Sequence, residues 1–365
     1  MTASPQPVPP QPSAGIFGRP PEVGEPAPFF TAATTNVDRY SLDAAAGRWI
    51  VLMVFGTLSS SASVQALDLA LRRRDLFNDT DAAFYGVTVD VSDRQRGLID
   101  SEPGVRFFWD LDRAICRLYG LANDDFLRPA IFLIDPAFRI VMAEPIEAVD
   151  MVLDRLEEAL GGGTQDQTAP VLILPRVLEP ELCQTLIEYY QRGAPTESGF
   201  AMEIDGQTVT RLNPTLKRRT DVTIEDPALI EAVRSRLETR LFPMVARAFG
   251  WKATRIERYL ICCYAAEDQG FFFPHRDDAT AGTAHRKFAV TLNLNAEDYD
   301  GGDLRFLEFG PRTYRPPTGG AAVFACGLLH EATPVTRGVR YAVVPFLYDE
   351  AGEALRQANL GKLGD

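Results

Sequence analysis

The chain has 365 residues, 46% of them hydrophobic, and carries 37 Lys and Arg against 50 Asp and Glu for a net charge of −13. With a pI near 4.9, that balance excludes nucleic acid and anionic membrane surfaces as general partners, because both would repel it. The length exceeds that of one ordinary domain, so two domains are expected.

Residues 1–20 (MTASPQPVPPQPSAGIFGRP) lack the apolar stretch of a secretory signal, and their prolines predict a disordered tail over residues 1–21. No apolar run reaches the length of a membrane span. Cys116, Cys183, Cys262, Cys263 and Cys326 form neither an even set nor a CxxC pair. Reduced thiols and a cytoplasmic location are therefore expected.

The first domain is expected over residues 22–160. Ile50–Phe55 reads as a continuous apolar strand, followed by a helix near Ser61–Phe77, a strand at Phe84–Asp90 and a helix within Phe107–Leu121. Ile131–Asp135 and Arg139–Ala143 read as a hairpin about Pro136-Ala137-Phe138. Val149, Val152, Leu153, Leu156 and Leu160 recur at helical spacing, with Gly161 where a cap belongs. Buried strands alternating with helices predict an α/β layer fold. A glycine-rich and then polar linker follows at residues 161–170.

The second domain is expected over residues 171–351, with a C-terminal tail at 352–365. Glu179–Arg192 and Pro227–Phe249 read as amphipathic helices with prolines in their first turns, the second kinked at Pro243. From Arg258 to Asp349 short strands are predicted at Arg258–Tyr264, Phe271–Asp277, Phe288–Leu294, Asp303–Phe309, Ala321–Ala325, Leu329–Pro334 and Val339–Tyr348. Glycine and proline clusters separate them, the pattern of a jelly roll or related double-sheet barrel.

Only three histidines occur, and two of them are placed for chemistry. In His275-Arg276-Asp277 an extended strand would present an imidazole and a carboxylate on one face. His330 follows 55 residues later on another predicted strand. Two His and one carboxylate with open positions form the donor set of non-haem Fe(II) oxygenases. Arg340 opens the closing strand beside small apolar residues, where an inward guanidinium needs a buried anion and can grip a carboxylate with two hydrogen bonds. Pro274 cannot donate to a ladder, which predicts an edge or a bulge there.

The remaining candidates have plainer readings. His285 reads as a surface histidine in a loop, and Cys262, Cys263 and Cys326 as small core residues. Phe271-Phe272-Phe273 divides between core and pocket wall. Lys217-Arg218-Arg219 reads as a solvated basic loop, the alternative being a rim that recruits an acidic substrate.

Residues from about Ala169 to Glu350 resemble the Fe(II)- and 2-oxoglutarate-dependent dioxygenases of the prolyl-4-hydroxylase-like branch. The resemblance rests on His275 and Asp277, Asn293-Leu294-Asn295, Gly301-Gly302-Asp303-Leu304-Arg305-Phe306, His330 and Arg340. It implies that His275, Asp277 and His330 bind Fe(II) and that Arg340 grips the distal carboxylate of 2-oxoglutarate. Tyr264 and Thr291 would line the same pocket. The implied reaction couples oxidative decarboxylation of 2-oxoglutarate by O2, to succinate and carbon dioxide, with hydroxylation of an unactivated C–H, and ascorbate is the expected reductant. Asp277 fills the ligand position that halogenating relatives leave to halide, which favours hydroxylation.

Residues from about 22 to 146 resemble the thioredoxin-fold peroxiredoxins, through Gly24-Glu25-Pro26-Ala27-Pro28-Phe29 and Arg128-Pro129-Ala130-Ile131-Phe132-Leu133-Ile134-Asp135. Their peroxidatic cysteine should lie in Thr57-Leu58-Ser59-Ser60, where Ser60 stands instead. A serine hydroxyl has no accessible anion near neutrality, which argues against a thiol peroxidase. Cys116 is expected to be structural, and the domain to serve protein contact, substrate presentation or homodimerisation.

The expected activity is thus a hydroxylase acting on a prolyl or other polypeptide side chain or on a small molecule. The alternative is an oxygen- or redox-responsive binding protein whose iron site regulates and scarcely turns over.

Overall fold

The computed structural model describes residues 19–96, 102–163, 167–204 and 206–364. Most of the tail expected at 1–21 and the middle of the linker expected at 161–170 lie outside the described residues. Two compact units part between Gln167 and Thr168, with Leu307–Gly310 grouped with the first.

The first unit is an α/β layer of thioredoxin type. Its five-stranded sheet runs Val105–Trp109, Ala82–Thr88, Trp49–Gly56, Ala130–Ile134, Ile140–Pro145. Trp49–Gly56 is parallel to Ala82–Thr88 and antiparallel to Ala130–Ile134. Ile50 through Phe55 are all buried, which is why the strand is apolar without alternation. Helices Ser61–Arg72 and Val149–Gly161 seal one face, with Leu67, Ala70, Val152 and Leu156 against Val51, Met53, Phe84 and Leu133.

The helix expected within Phe107–Leu121 is largely displaced. Val105–Trp109 is a strand parallel to Ala82–Thr88, and only Ala114–Leu118 is helical. The aromatic and β-branched run Val105-Arg106-Phe107-Phe108-Trp109 fits a pleated surface buried on both sides better than a helix.

The second unit is a jelly-roll core with helices on one side. A nine-stranded major sheet includes Leu260–Ala265, Phe288–Asn293, Ala321–Ala325 and Val339–Val343. The minor sheet orders Lys217–Arg218, Phe271–His275, His330–Ala332, Leu304–Arg305 and Thr313–Tyr314. Side-chain parity sorts the two faces of the major sheet. Ile261, Val290, Leu292 and Val343 pack with Leu186, Val233, Leu237 and Leu241 from the covering helices. Cys262, Tyr264 and Ala342 point the other way, into a smaller cluster with Tyr299, Ala332 and Val335.

The helix expected over Pro227–Phe249 is broken into Pro227–Arg236, a π turn at Leu237–Leu241 and Phe242–Phe249. Pro243 has no N–H for the usual bond four residues back, and the wider turn just before it accommodates the loss. Val339–Tyr348 is likewise interrupted, into Val339–Val343 and Phe346–Tyr348 around Pro345. The segment expected as a C-terminal tail carries the helix Glu350–Asn359, capped by the Asp349 side chain accepting from the Gly352 N–H. Among the described residues, no helix is long and apolar enough to cross a membrane.

Candidate metal centre and its cavity

His275 ends the Phe271–His275 strand, and His330 begins the neighbouring antiparallel strand, directly opposite it in register. Opposed positions bring side chains within a few ångströms of each other, and the two imidazole centroids are 4.3 Å apart. The strand stops before Asp277, so the same-face rule does not deliver the carboxylate. A turn does: the Asp277 N–H donates to the Cys326 carbonyl at 3.0 Å. Its oxygens then lie 3.6 Å from His275 Nε2 and 3.4 Å from His330 Nε2.

One ligand atom from each of the three residues lies within 4.8 Å of the others. The Nδ1 atoms of His275 and His330 face the carbonyls of Phe273 (2.8 Å) and Leu328 (3.0 Å). Donation from each Nδ1–H leaves Nε2 as the lone-pair nitrogen turned toward Asp277. Phe272 stacks on the His275 ring at 3.5 Å, and Phe324 meets the His330 ring edge-on at 4.5 Å. Pro274 coincides with a register shift between Phe272 and His275. The strand has neighbours on both sides, so the bulge, and not an edge, tolerates the missing donor.

Burial, and secondarily His275, lower the pKa of His330 to about 4, keeping its nitrogen free of a proton at neutrality. Burial would raise the Asp277 carboxyl, but His330, His275 and Arg286 together hold it well below the ordinary range. Two imidazoles and a carboxylate at these separations fit a divalent, borderline-hard cation with positions left open.

Behind the triad is a cavity of about 70 Å³ lined by Tyr264, Thr291 and Arg340 as well as His275, Asp277 and His330. All six residues singled out in the sequence thus meet in one place. Arg340 is 3% exposed, its Nε is buried without a hydrogen-bond partner, and the Tyr299 hydroxyl lies against its guanidinium. An orphaned buried donor of this kind calls for an acceptor such as a carboxylate. Gly302, at φ +65°, is needed here: a Cβ would come within 3.2 Å of Arg340 Cδ and closer to Val335. The Tyr264 hydroxyl faces Arg219 Nη1 at 3.4 Å, and Arg219 is clamped to Asp221 at 2.7 Å.

Several plainer readings are corrected. His285 is not at the surface: it is 3% exposed, with Nε2 2.8 Å from a Glu257 oxygen. Lys217-Arg218-Arg219 is not a solvated loop. Lys217 is 7% exposed, and the Arg219 side chain is 5% exposed within its pair with Asp221. Lys217, Arg219 and Asp221 alternate along extended chain, and that parity was the available signal. Phe273 is exposed, so of the aromatic run only Phe272 walls the cavity. The five cysteines are unpaired and buried.

In the first unit, Ser60 caps the Ser61–Arg72 helix, its side chain accepting from the Ser63 N–H. Arg128 is exposed. Burial, with Asp110 beside it, raises the Cys116 thiol far above its ordinary pKa, leaving it inert as a nucleophile.

Comparison with known proteins agrees with this division. Residues 259–348 match the 2OG-Fe(II) oxygenase superfamily, and residues 23–143 match the AhpC/TSA family. A PKHD-type hydroxylase of Synechococcus sp. is 34% identical over 132 residues, which are 34% of this chain and 56% of that protein. A mouse procollagen-lysine,2-oxoglutarate 5-dioxygenase 1 is 34% identical over 112 residues, 29% of this chain and 14% of that protein. The chain therefore spans about half the length of the bacterial relative. A Trichoplax adhaerens prolyl hydroxylase, solved with a hypoxia-inducible-factor peptide fragment, superposes with TM-score 0.41 at 18% identity, covering 52% of this chain and 87% of that one.

Proposed function

We propose that this chain is an Fe(II)- and 2-oxoglutarate-dependent hydroxylase, with His275, Asp277 and His330 as metal ligands. The observation that carries the reading is the juxtaposition of their ligand atoms, within 4.8 Å of one another, with the buried Arg340, whose Nε lacks a partner, lining the cavity behind them. When bound, Fe(II) with 2-oxoglutarate and O2 supplies an oxidant able to place oxygen on an unactivated C–H, succinate and carbon dioxide leaving.

The chain's own residues do the rest. The carbonyls of Phe273 and Leu328 orient the two imidazoles. Arg340 holds the distal carboxylate of the cosubstrate in a fixed fork, beside Tyr264 and Thr291. Phe272 and Phe324 brace the ligand rings and keep water from their faces. An open cleft of about 870 Å³ that reaches His275 and Asp277 supports a polypeptide side chain as the substrate. The hydroxylase names of the bacterial and mouse relatives support the same reaction class. Ascorbate is the reductant we propose for sustained turnover, and five unpaired buried thiols support a reducing compartment such as the cytoplasm.

The first unit, with Ser60 in place of a thiol, is proposed as a contact or presentation module without peroxidase activity. The decisive experiment follows succinate formation from 2-oxoglutarate with Fe(II) and ascorbate, including the uncoupled reaction. Iron-dependent turnover that vanishes in His275→Ala supports the hydroxylase. Iron and 2-oxoglutarate binding without succinate would replace it with a regulatory site.

A further inference from the structure

Four cationic side chains, Lys217, Arg219, Arg258 and Arg340, border the cavity behind the triad, while Asp277 is the one carboxylate among its lining residues. Asp221 neutralises Arg219 at 2.7 Å. On the hydroxylase reading, a divalent metal and Asp277 leave one positive charge, and Arg340 adds another. The two carboxylates of 2-oxoglutarate balance that pair. Lys217 and Arg258 then remain without a counter-ion.

Neither has an ion-pair partner among the described residues. Lys217 is 7% exposed; its Nζ donates to the Gly199 carbonyl at 2.7 Å and sits 4.5 Å over the Phe272 ring. Arg258 lies over the Phe346 ring at 4.6 Å, its Nε reaching the Val344 carbonyl at 3.4 Å. Its φ of +53° is a left-handed conformation unusual for a side chain of this size. Glu257, next to Arg258 in sequence, is already held by Arg286 and His285. Burial, with Arg219 near it and Asp221 offsetting only part of the effect, depresses the Lys217 amine to about 6, so that an anion seated beside it is what would hold it protonated at neutrality.

Position separates this pair from the other two cations. Arg219 and Arg340 do not reach the open cleft beside the triad, whereas Lys217 and Arg258 line it together with Phe272, His275 and Asp277. Of the cleft's other carboxylates, Asp221 is committed to Arg219, and Glu197 and Glu225 are exposed. A buried lysine amine and a half-buried guanidinium, neither with an ion-pair partner and both beside a metal site, suit an anion arriving from the cleft side.

We infer that Lys217 and Arg258 form a carboxylate-binding pair at the mouth of the metal cavity, so that the substrate is an acidic side chain hydroxylated close to its own carboxylate. This rests on the hydroxylase reading for the chemistry, but not for the binding. The Arg258 guanidinium repels an ammonium group near the metal, which disfavours a lysyl substrate. A carboxylate of 2-oxoglutarate is the other source of the same chemistry, and the experiment separates the two.

The full chain, loaded with Mn(II) and 2-oxoglutarate, is incubated with equimolar degenerate peptide pools whose central residue is Asp or Glu in one and Asn or Gln in the other. Retained peptides are counted by mass spectrometry. The wild type should enrich the acidic pool at least tenfold, and Lys217→Met and Arg258→Met should each bring that ratio close to one. Lys217→Gln and Arg258→Gln repeat the test with polar replacements, and a thermal melt of each variant checks folding. Equal retention of both pools by the wild type overturns the pair. So does a tenfold loss of 2-oxoglutarate affinity in the variants with selection intact, since the carboxylate would then be the cosubstrate's. Acidic selection without any succinate formation would instead sink the hydroxylase reading and leave the binding pair standing.

Discussion

Arg286 ties the metal triad to a half-buried acid, Glu257, on the strand Arg255–Glu257: its Nη1 donates to the Asp277 carbonyl at 3.2 Å. The same guanidinium grips Glu257 through Nε at 2.8 Å and Nη2 at 2.6 Å. His285 completes the cluster through the same Glu257 carboxylate. The turn that carries Asp277 is thus held by a charge network whose anchor lies outside the ligand set.

Glu257→Gln should therefore act on both stability and metal. Removing one partner of a buried ion pair typically costs about 3–5 kcal/mol, because the other charge is left uncompensated. Looser support of a ligand typically weakens metal binding by about 10- to 100-fold. Thermal melts and Mn(II) titration followed by electron paramagnetic resonance check the two effects. A variant that melts like the wild type and binds Mn(II) unchanged would show that the network is idle.

Arg340→Ala should weaken 2-oxoglutarate binding to the Mn(II)-loaded protein. Loss of a buried, charge-assisted contact costs about 2 kcal/mol or more, or roughly 30-fold in Kd. Arg340→Lys should recover only part, since an ammonium lacks the planar fork. Calorimetric titration reads both, and an unchanged Kd in Arg340→Ala would move the distal carboxylate elsewhere.

His330 makes the metal-free protein sensitive to acid. Its imidazole titrates at about 4 when folded against an ordinary 6.5. Between those values the unfolded chain binds a proton that the folded chain does not, so stability rises with pH across the window and falls on acidification. The contribution is about 3 kcal/mol at its full extent. His330→Leu should flatten the dependence of melting temperature on pH between 6.5 and 4 relative to the wild type. Metal binding needs the same nitrogen unprotonated, so bound Mn(II) should be released on acidification toward pH 4.

Ser60→Cys should create a reactive thiol where the wild type has none. The side chain at this position accepts from the Ser63 N–H at the start of a helix, a setting that stabilises a thiolate and lowers a cysteine pKa below its usual value near 8.5. The pH dependence of iodoacetamide labelling measures it. Labelling no faster than that of a free cysteine at pH 7 would mean that the helix start exerts no such pull here.

Much of this protein could be read from local pattern. The apolar runs Ile50–Phe55 and Ile261–Tyr264 are continuous because both faces of each strand are buried, and burial writes itself into the residue order. The ligand types, and Arg340 among small neighbours, were legible for the same reason: few residues can perform that chemistry.

Tertiary structure decided the rest, because register and turns act between residues distant in sequence. It set His275 opposite His330 and returned Asp277 to them through a turn, where an unbroken strand had been expected. It also buried His285 on a glutamate 28 positions away and buried Lys217, read from the sequence as solvated, beside the cleft without an ion-pair partner. A charge run is polar wherever it sits; only the packing around it determines whether water or a ligand answers it.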